Sequence, residues 1–145
     1  MGGFRSFLMH PFVRRACQLG AGGIFLAAAL PKIADLPAFA GSVHNFHLEP
    51  VVPVAAVNLL AMTIPWIELT AGLALVLGVK TRAGAFVYVV LMSLFTLGVV
   101  AAMARGLSFD CGCFGKATST AIGAKKLAEN LAMLGVGLVG ALERR

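Results

Sequence analysis

Charge is what this chain has least of. Asp, Glu, Lys and Arg make up 12% of its 145 residues and apolar residues 59%, whereas a soluble domain carries about 25% charged and roughly 45–50% apolar residues. That balance excludes an ordinary water-facing surface and leaves the lipid bilayer as the main solvent. Length is short as well. A helix needs about 20 apolar residues to cross hydrocarbon, so 145 residues allow at most about four or five spans and no second, soluble domain. Cysteine is scarce: three residues are too few for a disulfide scaffold, and an odd number leaves at least one unpaired or paired with another chain. Missing altogether are a nucleotide-binding loop, a repeated polar pore lining and the charge pattern that would mark a kinase or a transporter. Acidic residues are few, six against twelve Lys and Arg, for a formal charge of +6. The basic residues lie between or beside apolar runs, where they set orientation and meet lipid headgroups, so nucleic acid is not the expected partner.

Between the charges lie the long apolar runs. Residues 1–15 read as a cytoplasmic, interfacial lead-in, with Phe4, Phe7, Leu8 and Phe12 set among Arg5, Arg14 and Arg15; Met1-Gly2-Gly3-Phe4-Arg5-Ser6 also fits the loose pattern for N-myristoylation. Four spans are predicted, at about 16–33, 54–79, 83–104 and 120–142, within one membrane domain covering 16–142. The first shares features with a secretory signal, but Pro31-Lys32 and the apolar runs that follow favour an uncleaved helix. Pro37, Gly41, Pro50 and Pro53 break residues 35–53 into a loop, with a short interfacial helix around Phe39 to Phe46. The fold expected is an all-α membrane protein, an antiparallel four-helix transmembrane bundle. Gly135, Gly137 and Gly140 permit close helix contact in the last span. With the termini inside, Arg5, Arg14, Arg15, Lys80, Arg82, Arg144 and Arg145 face the cytoplasm, and Lys32, Arg105, Lys116, Lys125 and Lys126 face outward. This seven-to-five split favours cytoplasmic termini.

On that orientation the loop after the third span faces an oxidising compartment. It holds Asp110-Cys111-Gly112-Cys113-Phe114-Gly115, two thiols one residue apart between glycines that let the backbone turn tightly. Such a pair can close a small strained ring suited to thiol exchange; a structural bridge and two free thiols are the alternatives from spacing alone. Arg105 and Lys116 favour the thiolate and Asp110 opposes them. Cys17 stands at the start of the first span, about a bilayer thickness of ~30 Å from the pair, and reads as a small packing residue.

Ionisable residues inside spans are expensive and so informative. Glu68 reads either as a proton acceptor or polar contact for a quinone or substrate, or as a protonated packing residue bonded to Asn130, Thr70, Ser93 or Thr96. Lys32, near the outer end of the first span, reads first as snorkelling to headgroups. His44 and His47, on the same side as the cysteine pair, raise a competing Cys2His2 site for copper or zinc; no metal is the expectation.

Leu19-Gly20, Pro31-Lys32, Pro65 with Glu68 and Gly72, Arg105-Gly106 leading into Cys111-Gly112-Cys113-Phe114-Gly115, and Asn130 together resemble the methylamine utilisation MauE family, related to DoxX-like membrane proteins. The likeness covers about residues 15 to 140, and the Cys-Gly-Cys-Phe-Gly element is its most specific part. It implies a four-helix protein of the inner (cytoplasmic) membrane. In that role Cys111 and Cys113, supported by Glu68, Lys32, Arg105 and Asn130, act with a periplasmic thioredoxin-like partner. Together they form or deliver disulfides to an exported client such as the methylamine dehydrogenase small subunit. The chain would then be a thiol-disulfide oxidoreductase component whose electrons leave through a partner or to a membrane quinone. The alternative from another class is a non-catalytic membrane subunit or scaffold that binds a partner or quinone, its cysteines being structural.

Overall fold

Prolines, one aspartate and one glycine decide where the helices start and stop. A computed structural model describes residues 2–109 and 121–142; Asp110, Cys111, Cys113, Lys116, Arg144 and Arg145 lie outside the described residues. After a short α1 (Gly2–Leu8), Pro11 opens α2 (Pro11–Ala34), and the His10 imidazole accepts from the Phe12 N–H at 3.3 Å. Proline suits this first-turn position because the N–H it lacks would have had no helical partner. The helix therefore begins five residues before the expected span, and Arg14 and Arg15 belong to it rather than to a lead-in. Asp35 ends α2 and caps α3 (Leu36–His44), its carboxylate accepting from the Ala38 N–H at 3.1 Å. The interfacial helix expected around Phe39 to Phe46 is thus present, three residues earlier.

Pro53 precedes α4 (Val54–Leu77), which stops two residues short of the expected 79 because Gly78 adopts a left-handed φ of 76°. Residues 78–80 then turn the chain into α5 (Thr81–Ala104), making an antiparallel hairpin. The last described helix, α6, spans Ala124–Ala141. Among the described residues, α2, α4 and α5 are long and apolar enough to cross a membrane. At 24 residues each they measure about 36 Å. The fourth expected span is shorter: α6 has 18 residues and carries Lys125, Lys126 and Glu129 in its first two turns.

Around the core, α2 packs on α4 and α6, and α5 packs on α6 and α4, while α3 lies against α4. Ala21, Phe25, Ala71, Leu75, Ala85, Tyr88, Leu91 and Met92 form the central cluster. The Phe25 and Tyr88 rings meet at a tilt of 38° with centroids 4.4 Å apart, and the Tyr88 hydroxyl donates to the Met133 carbonyl at 3.1 Å. Small residues let backbones meet. A Cβ on Gly22 would stand 2.9 Å from the Gly72 carbonyl oxygen, and one on Gly72 would stand 3.0 Å from that of Gly22, so α2 and α4 cross in backbone contact. The space beside Gly137 is filled by the Tyr88 ring. Of the three expected contact glycines, Gly137 and Gly140 are buried, whereas Gly135 is exposed with nothing nearby. Large apolar side chains such as Leu59, Trp66, Leu77, Phe86, Leu97 and Leu138 point outward, the arrangement a hydrocarbon solvent favours and water does not.

The two ends of the packed helices differ. At one, Arg15 donates to the Leu75 and Val76 carbonyls at 2.7 Å each, and buried Gln18 donates to Gly140 at 3.0 Å. These bonds satisfy carbonyls that the ends of α4 and α6 leave without helical partners. At the other end, Phe46, Val99 and Ala102 form a second cluster with Leu48, Leu107, Phe109, Ile122 and Leu127.

Candidate functional site

Helical spacing turns Ala21, Phe25, Ala28 and Lys32 onto the inner face of α2, and Val57, Ala61, Pro65, Glu68 and Leu75 onto that of α4. Two ionisable groups are thereby carried into an apolar interior. Lys32 does not snorkel. Its Nζ donates to both Glu68 carboxylate oxygens, at 2.8 and 2.9 Å, and the two residues are 1% and 2% exposed. The same ammonium lies 4.9 Å from the ring centroids of Phe39 and Phe95, so two aromatic faces supply further favourable electrostatics. An unpaired charge at membrane depth costs at least about 2.5 kcal/mol, which is why each ion has a partner. The hydroxyls expected beside Glu68 are engaged elsewhere: Thr70 donates to Trp66 and Ile67, Ser93 to Val89 and Thr96 to Met92, each within its own helix.

Beside this pair is a cavity of about 20 Å³, lined by Lys32, Glu68, Lys126, Asn130, Phe95 and Met133 among others. Asn130, grouped with Glu68 from the sequence, does reach the same cavity. It is 2% exposed, and its amide nitrogen has no hydrogen-bond partner among the described residues. Lys126, one of the basic residues the sequence places on the side opposite the termini, is 1% exposed, with Nζ 3.7 Å from a Glu129 carboxylate oxygen. The signal for it was available: Lys126, Asn130, Met133, Gly137 and Gly140 repeat at helical spacing on one face.

Toward the Phe46 end, the Arg105 guanidinium donates to the carbonyls of Phe46 and His47, tying the end of α5 to the loop after α3. His44 Nδ1 lies 3.1 Å from Glu49 Oε1, and its Nε2 lies 2.8 Å from Asn58 Oδ1. Asn58 and then Glu49 hold the His44 imidazole above the ordinary histidine range. Glu49 is held below the usual carboxylate range, first by its own backbone N–H and then by His44. His47 turns its Nδ1 to the Asn45 carbonyl at 2.8 Å. No group of three His, Cys, Asp or Glu among the described residues is placed to hold a metal.

The cysteine pair lies outside the described residues, but its flanks do not. The Ile122 N–H donates to the Phe109 carbonyl at 3.0 Å, and the Phe109 ring meets Phe46 edge-on at 4.9 Å. Phe109 and Ile122 therefore meet at one anchored point. That point lies at the end where α2 and α5 finish and α4 and α6 begin, the end toward which Lys32 and Lys126 stand in their helices. Cys17, in α2, is partly buried with a free thiol.

Known proteins are similar to this chain in sequence. The methylamine utilisation protein MauE of Methylophilus methylotrophus is 32% identical over 135 residues, covering 92% of this chain and 70% of its own length. Its counterpart in Paracoccus denitrificans is 31% identical over 110 residues, 75% of this chain and 58% of that protein. The Methylorubrum extorquens protein is 35% identical over 92 residues, 63% of this chain and 48% of that protein. The chain thus spans between about half and 70% of the length of these relatives. No solved structure matches it. The family model described as "Methylamine utilisation protein MauE" matches residues 10–143, from the first turn of α2 past the end of α6 and so across every residue of the buried cluster; the chain belongs to the MauE family.

Proposed function

We propose that this chain is the membrane component of a thiol-disulfide exchange system in methylamine utilisation, with Cys111 and Cys113 as the exchanging pair. The observation that carries the reading is that Phe109 and Ile122, the described residues on either side of the Cys111-Gly112-Cys113 sequence, are hydrogen-bonded at one end of the packed helices, within a family match that covers nearly the whole chain. On this reading a water-soluble partner meets the pair without entering the bilayer. The partner is a periplasmic thioredoxin-like protein, and the client an exported protein such as the methylamine dehydrogenase small subunit.

In the exchange, one partner thiolate attacks a sulfur of the Cys111–Cys113 disulfide, and the sulfur–sulfur bond breaks as a mixed disulfide forms. The second partner thiolate then attacks that mixed disulfide. The partner leaves oxidised, and Cys111 and Cys113 leave as two thiols that take up the two protons the partner lost. Reoxidation passes two electrons and two protons to a membrane quinone, giving the quinol, or to a second disulfide-bearing protein.

The membrane arrangement supporting this reading is an antiparallel four-helix transmembrane bundle in the inner membrane, with α6 as the fourth span and both termini cytoplasmic. Burial of Lys32 and Lys126 strengthens that orientation. Setting these two aside reduces the five outward basic residues to three, against seven on the terminal side.

The deciding measurement is the redox state of Cys111 and Cys113 in isolated membranes, by maleimide gel shift across a series of thiol buffers. A reversible two-electron transition near the potential of the exported compartment, with mixed disulfides trapped by Cys113→Ser, is the expected result. Permanently reduced or unreducible cysteines, or full function in the Cys111→Ser, Cys113→Ser double variant, would make the chain a scaffold.

A further inference from the structure

The buried amide of Asn130 asks for a partner that the described side chains do not supply. An unpaired polar group in an apolar interior costs the full loss of its hydration, and buried amides in folded proteins are almost always bonded to protein or to ordered water. This one lines a cavity of about 20 Å³ in the middle of α2, α4, α5 and α6. Three features of that cavity define its occupant. The unsatisfied group is an N–H donor, so the occupant accepts. Lys32 and Lys126, which also line the space, are donors as well, each beside a carboxylate, Glu68 and Glu129, so the lining carries both signs of charge and its added cationic donors do not compete with an acceptor at Asn130. The volume is just above the roughly 10–15 Å³ that one water needs.

We propose that this cavity is a binding site for one small hydrogen-bond acceptor, a water or a halide-sized anion, held by the Asn130 amide beside Lys32 and Lys126. Bound there, the acceptor connects α6 to the Lys32–Glu68 pair between α2 and α4 and completes the polar centre of the fold. The inference rests on described residues alone and is independent of the cysteine chemistry above.

The test is diffraction from crystals of the full chain grown in bromide, read together with thermal unfolding in detergent of the wild type and Asn130→Leu. Anomalous bromide density against Asn130 identifies an anion. In that case the wild type also melts several degrees higher in bromide than in gluconate at equal ionic strength, and Asn130→Leu loses the difference. A light-atom peak in the same place, with equal melting in both salts and a variant that melts on the order of 4 °C lower, identifies water. An empty cavity, together with an Asn130→Leu protein that melts at or above the wild-type temperature, overturns the proposal, because a dry site gains by losing its unpaired amide. Should the variant fail to fold, the diffraction arm decides alone.

Discussion

Lys32 and Glu68 are the residues whose chemistry depends most on each other. Each ion is nearly inaccessible and each satisfies the other with two short hydrogen bonds, so removing one strands the other. Lys32→Met is expected to destabilise the protein by about 3–5 kcal/mol, and Glu68→Leu by a similar amount. The double variant should lose markedly less than the sum, because two apolar side chains leave no charge behind; denaturation in detergent checks this as a double-mutant cycle. His44 behaves differently because it is exposed. Its pKa in the folded protein is raised, first by Asn58 and then by Glu49, above the ordinary 6.5. Protonation of His44 therefore contributes fully below pH 6.5 and is lost as pH rises through the folded value. Glu49 is depressed below its ordinary 4.5, so its contribution is present above 4.5 and is lost as pH falls through its folded value. The contact is strongest between those limits. A proton titration of His44 by NMR should give a midpoint above 6.5, and Asn58→Leu should move it down.

At the scale of the elements, close approach and end capping dominate. A Cβ on Gly137 would overlap the Tyr88 ring, whereas one on Gly135 meets nothing within 4 Å. Gly137→Ala should therefore cost about 1–3 kcal/mol by overpacking α5 against α6, while Gly135→Ala should be neutral or slightly stabilising, as glycine is a poor helix former. Comparing their melting temperatures separates packing from helix propensity. Arg15 is a capping residue supplied from a neighbouring helix. It takes two carbonyls of the last turn of α4, those of Leu75 and Val76, and its guanidinium lies about 3.4 Å from the position a Cβ on Gly78 would occupy. Arg15→Met keeps the apolar stem and removes the donors, and it should cost about 1.5–3 kcal/mol, the usual value of hydrogen bonds from a charged group. Those carbonyls could not be matched to Arg15 from the sequence, since 60 residues separate Arg15 from Leu75.

For the whole molecule, the orientation proposed above sorts positions by side. In a variant lacking the native cysteines, Asn45→Cys should react with a membrane-impermeant maleimide added outside intact cells, and Val79→Cys should react only after the membrane is opened. Equal reactivity at both positions would dismiss the proposed topology. Substituting Cys17 breaks no disulfide among the described residues, because its thiol is free.

Sequence by itself determined that the chain belongs in lipid, where its long helices lie and that Glu68 sits at membrane depth, because hydropathy and proline or glycine punctuation are local properties of consecutive residues. It also brought forward Lys32 and Asn130 through family likeness. It did not reveal that Lys32 faces Glu68 instead of the headgroups, that Lys126 turns inward, or that Arg15 and Gln18 cap distant helices. Those outcomes depend on how far each helix is rotated about its axis and which neighbour it meets. In a bilayer, where every apolar face is equally well solvated, backbone approach at small residues and the pairing of a few buried polar groups decide both. Tertiary structure alone fixed the Gly22–Gly72 crossing, and with it the Lys32–Glu68 pair and the cavity at Asn130.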